Sequence, residues 1–111
     1  MTDTTDRIKH EWAAKAAGIS IGYQKWADET WTYFDRGRRG HPVWNPRHDN
    51  NDAFRLAARL KIQVAFGTFK DNVASAYKFG APAVEVENTD IEAAAREAIF
   101  LMAVDIGKGK K

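Results

Sequence analysis

The chain has 111 residues, fitting one domain, with 44% hydrophobic and 29% charged residues and a net charge of +2. Four Trp, three Tyr and six Phe supply too much apolar mass for a wholly disordered chain. With no cysteine in the sequence, disulfides, thiolate catalysis and cysteine-type zinc sites are excluded.

The polar Met1–Arg7 segment lacks the apolar core of a secretory signal. Thr5-Asp6 reads as a helix start and Gly18 as its stop, with Ile8, Trp12 and Ala16 on one face. A helix is expected over 6–17, after a frayed tail at 1–5. Ile19, Ile21 and Tyr23 then alternate with small or polar neighbours, as do Trp31 and Tyr33. Two strands separated by Asp28-Glu29 predict an antiparallel hairpin.

Glycine and proline break up the stretch from Asp35 to Pro46, so a long loop is expected there. Asp49 or Asn50 can cap a second helix. Its core stripe is Ala53, Leu56, Ala57 and Leu60, with Arg55 and Arg59 beside it one turn apart. Ile62, Val64 and Phe66 alternate as a third strand. Residues 67–81 carry turn signals and aromatics without a clean period, leaving room for a short strand near 73–78. Ala83–Glu87 alternates as a strand. Thr89-Asp-Ile-Glu92 matches a capping box opening an Ala-rich helix that Gly107 would end, with the lysines of 108–111 as a basic tail.

The order α-β-β-α-β-β-α predicts a single α+β domain with a mostly antiparallel four-stranded sheet packed by helices. The longest strongly apolar stretch, Ala98–Val104, is far shorter than the roughly 20 residues a membrane span needs. The expectation is a cytosolic protein with no membrane partner.

The string from Trp44-Asn-Pro-Arg-His-Asp-Asn-Asn-Asp-Ala-Phe-Arg-Leu56 to Val64 resembles the phage ABA-sandwich domain family, small proteins of bacteriophages and prophages. That family's pattern is a Trp-Asn-Pro, an Asp-rich turn, a helix with an Ala-Leu-Arg-Leu type run, and a strand. Asp49, Asp52, Arg55 and Leu56 match it; Ala16–Ile19 and the Arg96–Gly107 ending are also similar. His48, Asn50, Asn51 and Phe54 depart from it, and residues 67–81 have no counterpart. The resemblance implies a fold, a viral origin and a location in the host bacterial cytoplasm. It implies no established activity.

Charge is distributed unevenly. Between Arg36 and Lys61 lie seven basic residues and two acids. Arg36, Arg38 and Arg39 sit among glycines, a composition suited either to a phosphate backbone or protein partner or to a solvated loop. Trp44, Asn45 and Arg47 precede the second helix, whose free N-terminal amides favour an anion. Trp44 either stacks on a ligand ring or plugs the core.

Other constellations have bland alternatives. His41, His48, Asp49 and Asp52 are metal-ligand types, but His48 falls before the helix. Glu85 and Glu87 alternate with Val84 and Val86, as on the wet face of a strand. Phe66, Phe69, Tyr77 and Phe79 are either core or an oligomer or host-protein interface. The sequence contains no nucleophile elbow, P-loop or dinucleotide fingerprint.

The expectation is a phage accessory protein without enzymatic activity or cofactor. It would bind a host or defence protein, or an anionic small ligand, through Arg36, Arg38, Arg39, Trp44, Asn45, Arg47, Arg55 and Arg59. A nucleic-acid-binding regulator is the alternative, and a homo-oligomer is compatible with either.

Overall fold

An alanine-rich helix lets neighbouring backbones come close, and the last helix of this chain is built that way. The computed structural model describes residues 2–67 and 71–109, with side chains from Asp6 onward. Its elements are α1 (Thr2–Ala17), β1 (Ile21–Lys25), β2 (Trp31–Asp35), α2 (Asn50–Leu60), β3 (Gln63–Phe66), β4 (Val73–Tyr77), β5 (Val84–Glu87) and α3 (Ile91–Gly109). α3 touches α1, α2 and all three of the later strands. It therefore buries residues around much of its circumference, among them Ala94, Ala98, Phe100, Met102 and Ala103.

The α+β class and the element order match the sequence reading, with one further strand at 73–77. The single four-stranded sheet does not form. Instead β1 and β2 make a two-stranded sheet, and β3-β4-β5 make a separate antiparallel three-stranded sheet. The separation has two causes. β2 continues its pairing with the returning loop, through a Phe34–Val43 bridge, Asp35 N–H to Pro42 O and Trp44 N–H to Tyr33 O. β4, from the stretch without a readable period, lies between β3 and β5 and pairs with both. Its residues Val73, Ala74, Ser75 and Ala76 are all buried. Ala74 packs with Ala94 and Ala95 of α3, small against small, which permits close helix–sheet approach.

Helix boundaries also shift. α1 begins at Thr2, within the expected frayed tail, and Gly18 ends it in the left-handed region (φ 71°) as expected. Its buried face is His10, Ala13, Ala14 and Ala16, while Ile8 and Trp12 are only half-buried. At α3 the cap is Asp90, whose carboxylate accepts from the amides of Glu92 and Ala93. Glu92 is bonded to Asn50 instead of closing a capping box.

Gly107 does not stop α3. A Cβ there would stand 1.8 Å from the Trp12 carbonyl oxygen, so this glycine is a crossing point with α1. Lys110, Lys111 and Phe69 lie outside the described residues. Among the described residues no helix is long and apolar enough to cross a membrane.

Candidate functional site

The Trp-Asn-Pro segment has a structural task. Trp44 is buried (3% exposed) in the core cluster that also holds Leu56, Phe100 and Tyr33, so it plugs the core. Pro46, two residues on, is fully buried as well. The Asn45 carbonyl accepts from the amides of His48 and Asp49, and the Asn45 amide donates to Asp52 Oδ2 at 2.8 Å. Asp49 then caps α2, its carboxylate accepting from the Asp52 amide at 3.0 Å. Asp49 and Asp52 thus tie a turn to a helix start.

Arg47 is internally neutralised. Its guanidinium forms a two-bond pair with Glu97 (2.9 and 3.2 Å) and a third bond to Asp6 (2.9 Å), above the Phe100 ring. It joins the loop to α1 and α3 and drops out of the expected anion surface. Arg36 lies across Gly22 and lines a shallow groove with Ile21, Tyr23, Gln24, Phe34 and His41. Arg39 is exposed on the turn, where Gly40 and His41 both have positive φ.

Three of the expected arginines do converge. Arg38 from the loop and Arg55 and Arg59 from α2 line a cleft of about 270 Å³, with Gly18, Ile19 and Ser20 on one side and Trp44 as wall. Two buried carboxylates, Asp35 and Asp52, lie beneath. Both have internal partners: Asp35 accepts from the Gly37 amide at 3.0 Å, and Asp52 from Asn45 and, at 3.4 Å, from Arg55. Arg59 donates to the Ala17 carbonyl. Arg38 has no side-chain partner among the described residues. The local charge is three guanidinium groups over two tied carboxylates, with most arginine N–H groups unspent.

A second, smaller polar pocket involves residues the sequence reading did not single out. Asp6 and His10 sit one turn apart on α1, and Tyr33 comes from β2. The Tyr33 hydroxyl donates to Asp6 Oδ2 at 2.8 Å, and its ring stacks on His10 with centroids 3.9 Å apart. Burial holds His10 below its ordinary pKa despite a bond to the Asp6 carbonyl. Burial and the Asp6 carboxylate push the Tyr33 phenol well upward, so it stays protonated. The available signal was His10 at the i, i+3, i+4 spacing with Ala13 and Ala14, which puts a histidine on a core face.

The remaining candidates are placed as follows. His48 and Asp49 are exposed while Asp52 is buried, and among the described residues no three His, Asp or Glu side chains group to hold a metal. Glu85 and Glu87 are exposed on β5, with Val84 and Val86 half-buried. Phe66 and Phe79 are exposed and Tyr77 is half-buried. Phe66 and Phe54 border an apolar groove of about 430 Å³ between α2, α3 and β3.

No family model, no curated protein and no solved structure matches this chain.

Proposed function

We propose that this chain is a non-enzymatic binding protein that takes an anionic group in the cleft of Arg38, Arg55 and Arg59. The group is a phosphate or carboxylate, carried by a small ligand or by an acidic protein surface. The observation that carries the reading is the convergence of three guanidinium groups from two separate elements, over carboxylates already tied to the protein's own amides. Guanidinium forks bind planar or tetrahedral oxyanions with two parallel bonds, and a concave site multiplies that advantage. The string from Trp44 to Val64 supports a phage accessory protein directed at a host or defence component in the bacterial cytoplasm. Nucleic acid is the weaker reading, because, of the two tryptophans that could stack on a base, Trp44 is buried and Trp31 is half-buried.

Thermal unfolding with pyrophosphate and with citrate tests the cleft. Bound ligand at 100 times its dissociation constant stabilises by about 2.7 kcal/mol, an upward Tm shift well within detection. Arg38→Ala, Arg55→Ala and Arg59→Ala combined should abolish the shift, and added salt should shrink it. An equal shift in the triple variant would refute the site. A host-lysate capture that survives in wild type and fails in the same variant would identify the anion as part of a protein surface.

A further inference from the structure

The three-stranded sheet has two edges, and they differ. Bonds at the strand ends fix the phase of each pairing. Gly67 N–H donates to Val73 O in step with the β3–β4 register, so Gln63 and Ala65 bond to β4. The peptide groups of Val64 and Phe66 point the other way, out of the sheet edge, and have no partner among the described residues. On β5, Asn88 N–H donates to Asn72 O, so by the same alternation Glu85 and Glu87 turn their peptide groups outward. Their exposed carboxylates guard that edge, because pairing it with a copy of itself would bring like charges together. The β3 edge, Gln63–Phe66, carries no charge.

Beside the β3 edge lies the apolar groove of about 430 Å³, lined by Phe54 and Ala58 of α2, Ile99 of α3, and Ile62, Val64 and Phe66. Phe54 is 73% exposed and Phe66 58%. The two charged residues on the lining, Glu92 and Arg96, are opposite in sign and are both bonded to Asn50. A charged partner gains nothing there, whereas a surface bearing the same neutral apolar groups does. The edge is also complementary to itself. Turned antiparallel about Ala65, Val64 of one copy falls opposite the partner's Phe66, and each such pair exchanges two backbone hydrogen bonds. The Phe66 side chain shares a sheet face with Val64, which directs it toward the partner's groove.

We propose that β3 is a dimer edge: two copies of this chain pair their β3 strands antiparallel with Ala65 at the two-fold axis, forming a six-stranded sheet. Each Phe66 then sits in the other copy's groove, against Phe54. At about 200 Å² for a whole phenylalanine side chain, the exposed parts of Phe54 and Phe66 supply about 500 Å² over both copies. Specific interfaces begin near about 1,200 Å² in total, so strand backbone and groove walls supply the remainder and the dimer is weak and concentration-dependent. The arginine cleft, lined by Arg55 and Arg59, is a different cavity from this groove, so the inference is independent of the oxyanion reading.

The test is sedimentation velocity of the full chain from about 5 to about 500 µM, with circular dichroism to confirm that each variant is folded. Wild type should pass from monomer to dimer across that range. Phe66→Lys, which carries an ammonium into the groove, should weaken dimerisation at least about tenfold. Phe79→Lys, replacing a fully exposed phenylalanine outside the groove, should leave it unchanged. Cross-linking reads the register without depending on Phe66. The chain has no cysteine of its own, and two Ala65 residues at the axis form a pair with Cα atoms about 4.5 Å apart, within disulfide reach. Under mild oxidation Ala65→Cys should therefore cross-link much faster than Phe79→Cys. The Arg38→Ala, Arg55→Ala, Arg59→Ala variant should dimerise like wild type, which separates this result from the fate of the cleft. Wild type that stays monomeric throughout overturns the proposal, and an edge reserved for a strand of another protein would give that result. A dimer undiminished in folded Phe66→Lys also overturns it, as does cross-linking of Ala65→Cys no faster than that of Phe79→Cys.

Discussion

Gly107→Ala tests the packing that holds the two pockets in place. α1 carries Asp6 and His10, and it crosses α3 where Gly107 meets the backbone of Trp12. A Cβ at Gly107 would stand 1.8 Å from the Trp12 carbonyl oxygen and 2.5 Å from its carbonyl carbon. Non-bonded heavy atoms settle near 3.5 Å, so the helices must part by roughly 1.5 Å. The obstructing atoms are backbone, which cannot rotate aside. Overpacking costs about 1–3 kcal/mol and more where the backbone must move, against about 1 kcal/mol gained in helix propensity. The expected net loss is about 2 kcal/mol, or a fall in Tm of about 8–16 °C for a domain of this size. The assay is thermal unfolding by circular dichroism beside Gly109→Ala, in the same helix with nothing within 4 Å of the added carbon. Gly109→Ala should lie within about 0.5 kcal/mol of wild type. If the two variants unfold at the same temperature, the close crossing is wrong.

Further outcomes follow from the buried residues. Trp44→Ala should lose about 3–5 kcal/mol in urea unfolding, a large share of the stability of any domain, whereas Trp44→Phe should lose much less. His10 is neutral in the folded state and its pKa lies below 6.5 there. The unfolded chain therefore binds the proton first as pH falls past about 6.5, and stability declines from that point downward. Urea unfolding at about pH 7.5 and 5.5 should show that decline in wild type and a flatter profile in His10→Phe. Arg47→Met strands the Glu97 and Asp6 carboxylates, which are about two-thirds buried. The expected loss is about 1–2 kcal/mol, discounted for partial solvent screening, and Glu97→Gln in the same background should recover part of it.

The helices and the first hairpin were legible because each rests on local rules. Apolar spacing at Ala53, Leu56, Ala57 and Leu60, an aspartate cap and glycine at 18 act within a few residues of one another. β4 was legible only as room for a short strand near 73–78, because Val-Ala-Ser-Ala-Tyr is buried at four successive residues and so shows no alternation. Gly107 was misread for a related reason: a glycine demanded by a helix crossing looks the same in sequence as one that ends a helix. The arginine surface was half legible. Arg55 and Arg59 share a helix face by spacing, and Arg38 joins them only because the loop folds back along β2. Arg47 looked free because its partner Glu97 is fifty residues away along the chain. Trp44 illustrates the general difficulty: an aromatic beside arginines and glycines has the same composition whether it meets a ligand or fills the core.

Calorimetric titration of pyrophosphate into wild type and into the Arg38→Ala, Arg55→Ala, Arg59→Ala variant, each at low and moderate salt, measures the cleft's affinity directly. Saturable binding to wild type that weakens with salt and vanishes in the variant is the predicted result. Binding of equal strength to both proteins, or none to wild type at low salt, would contradict the assignment of the cleft as an oxyanion site.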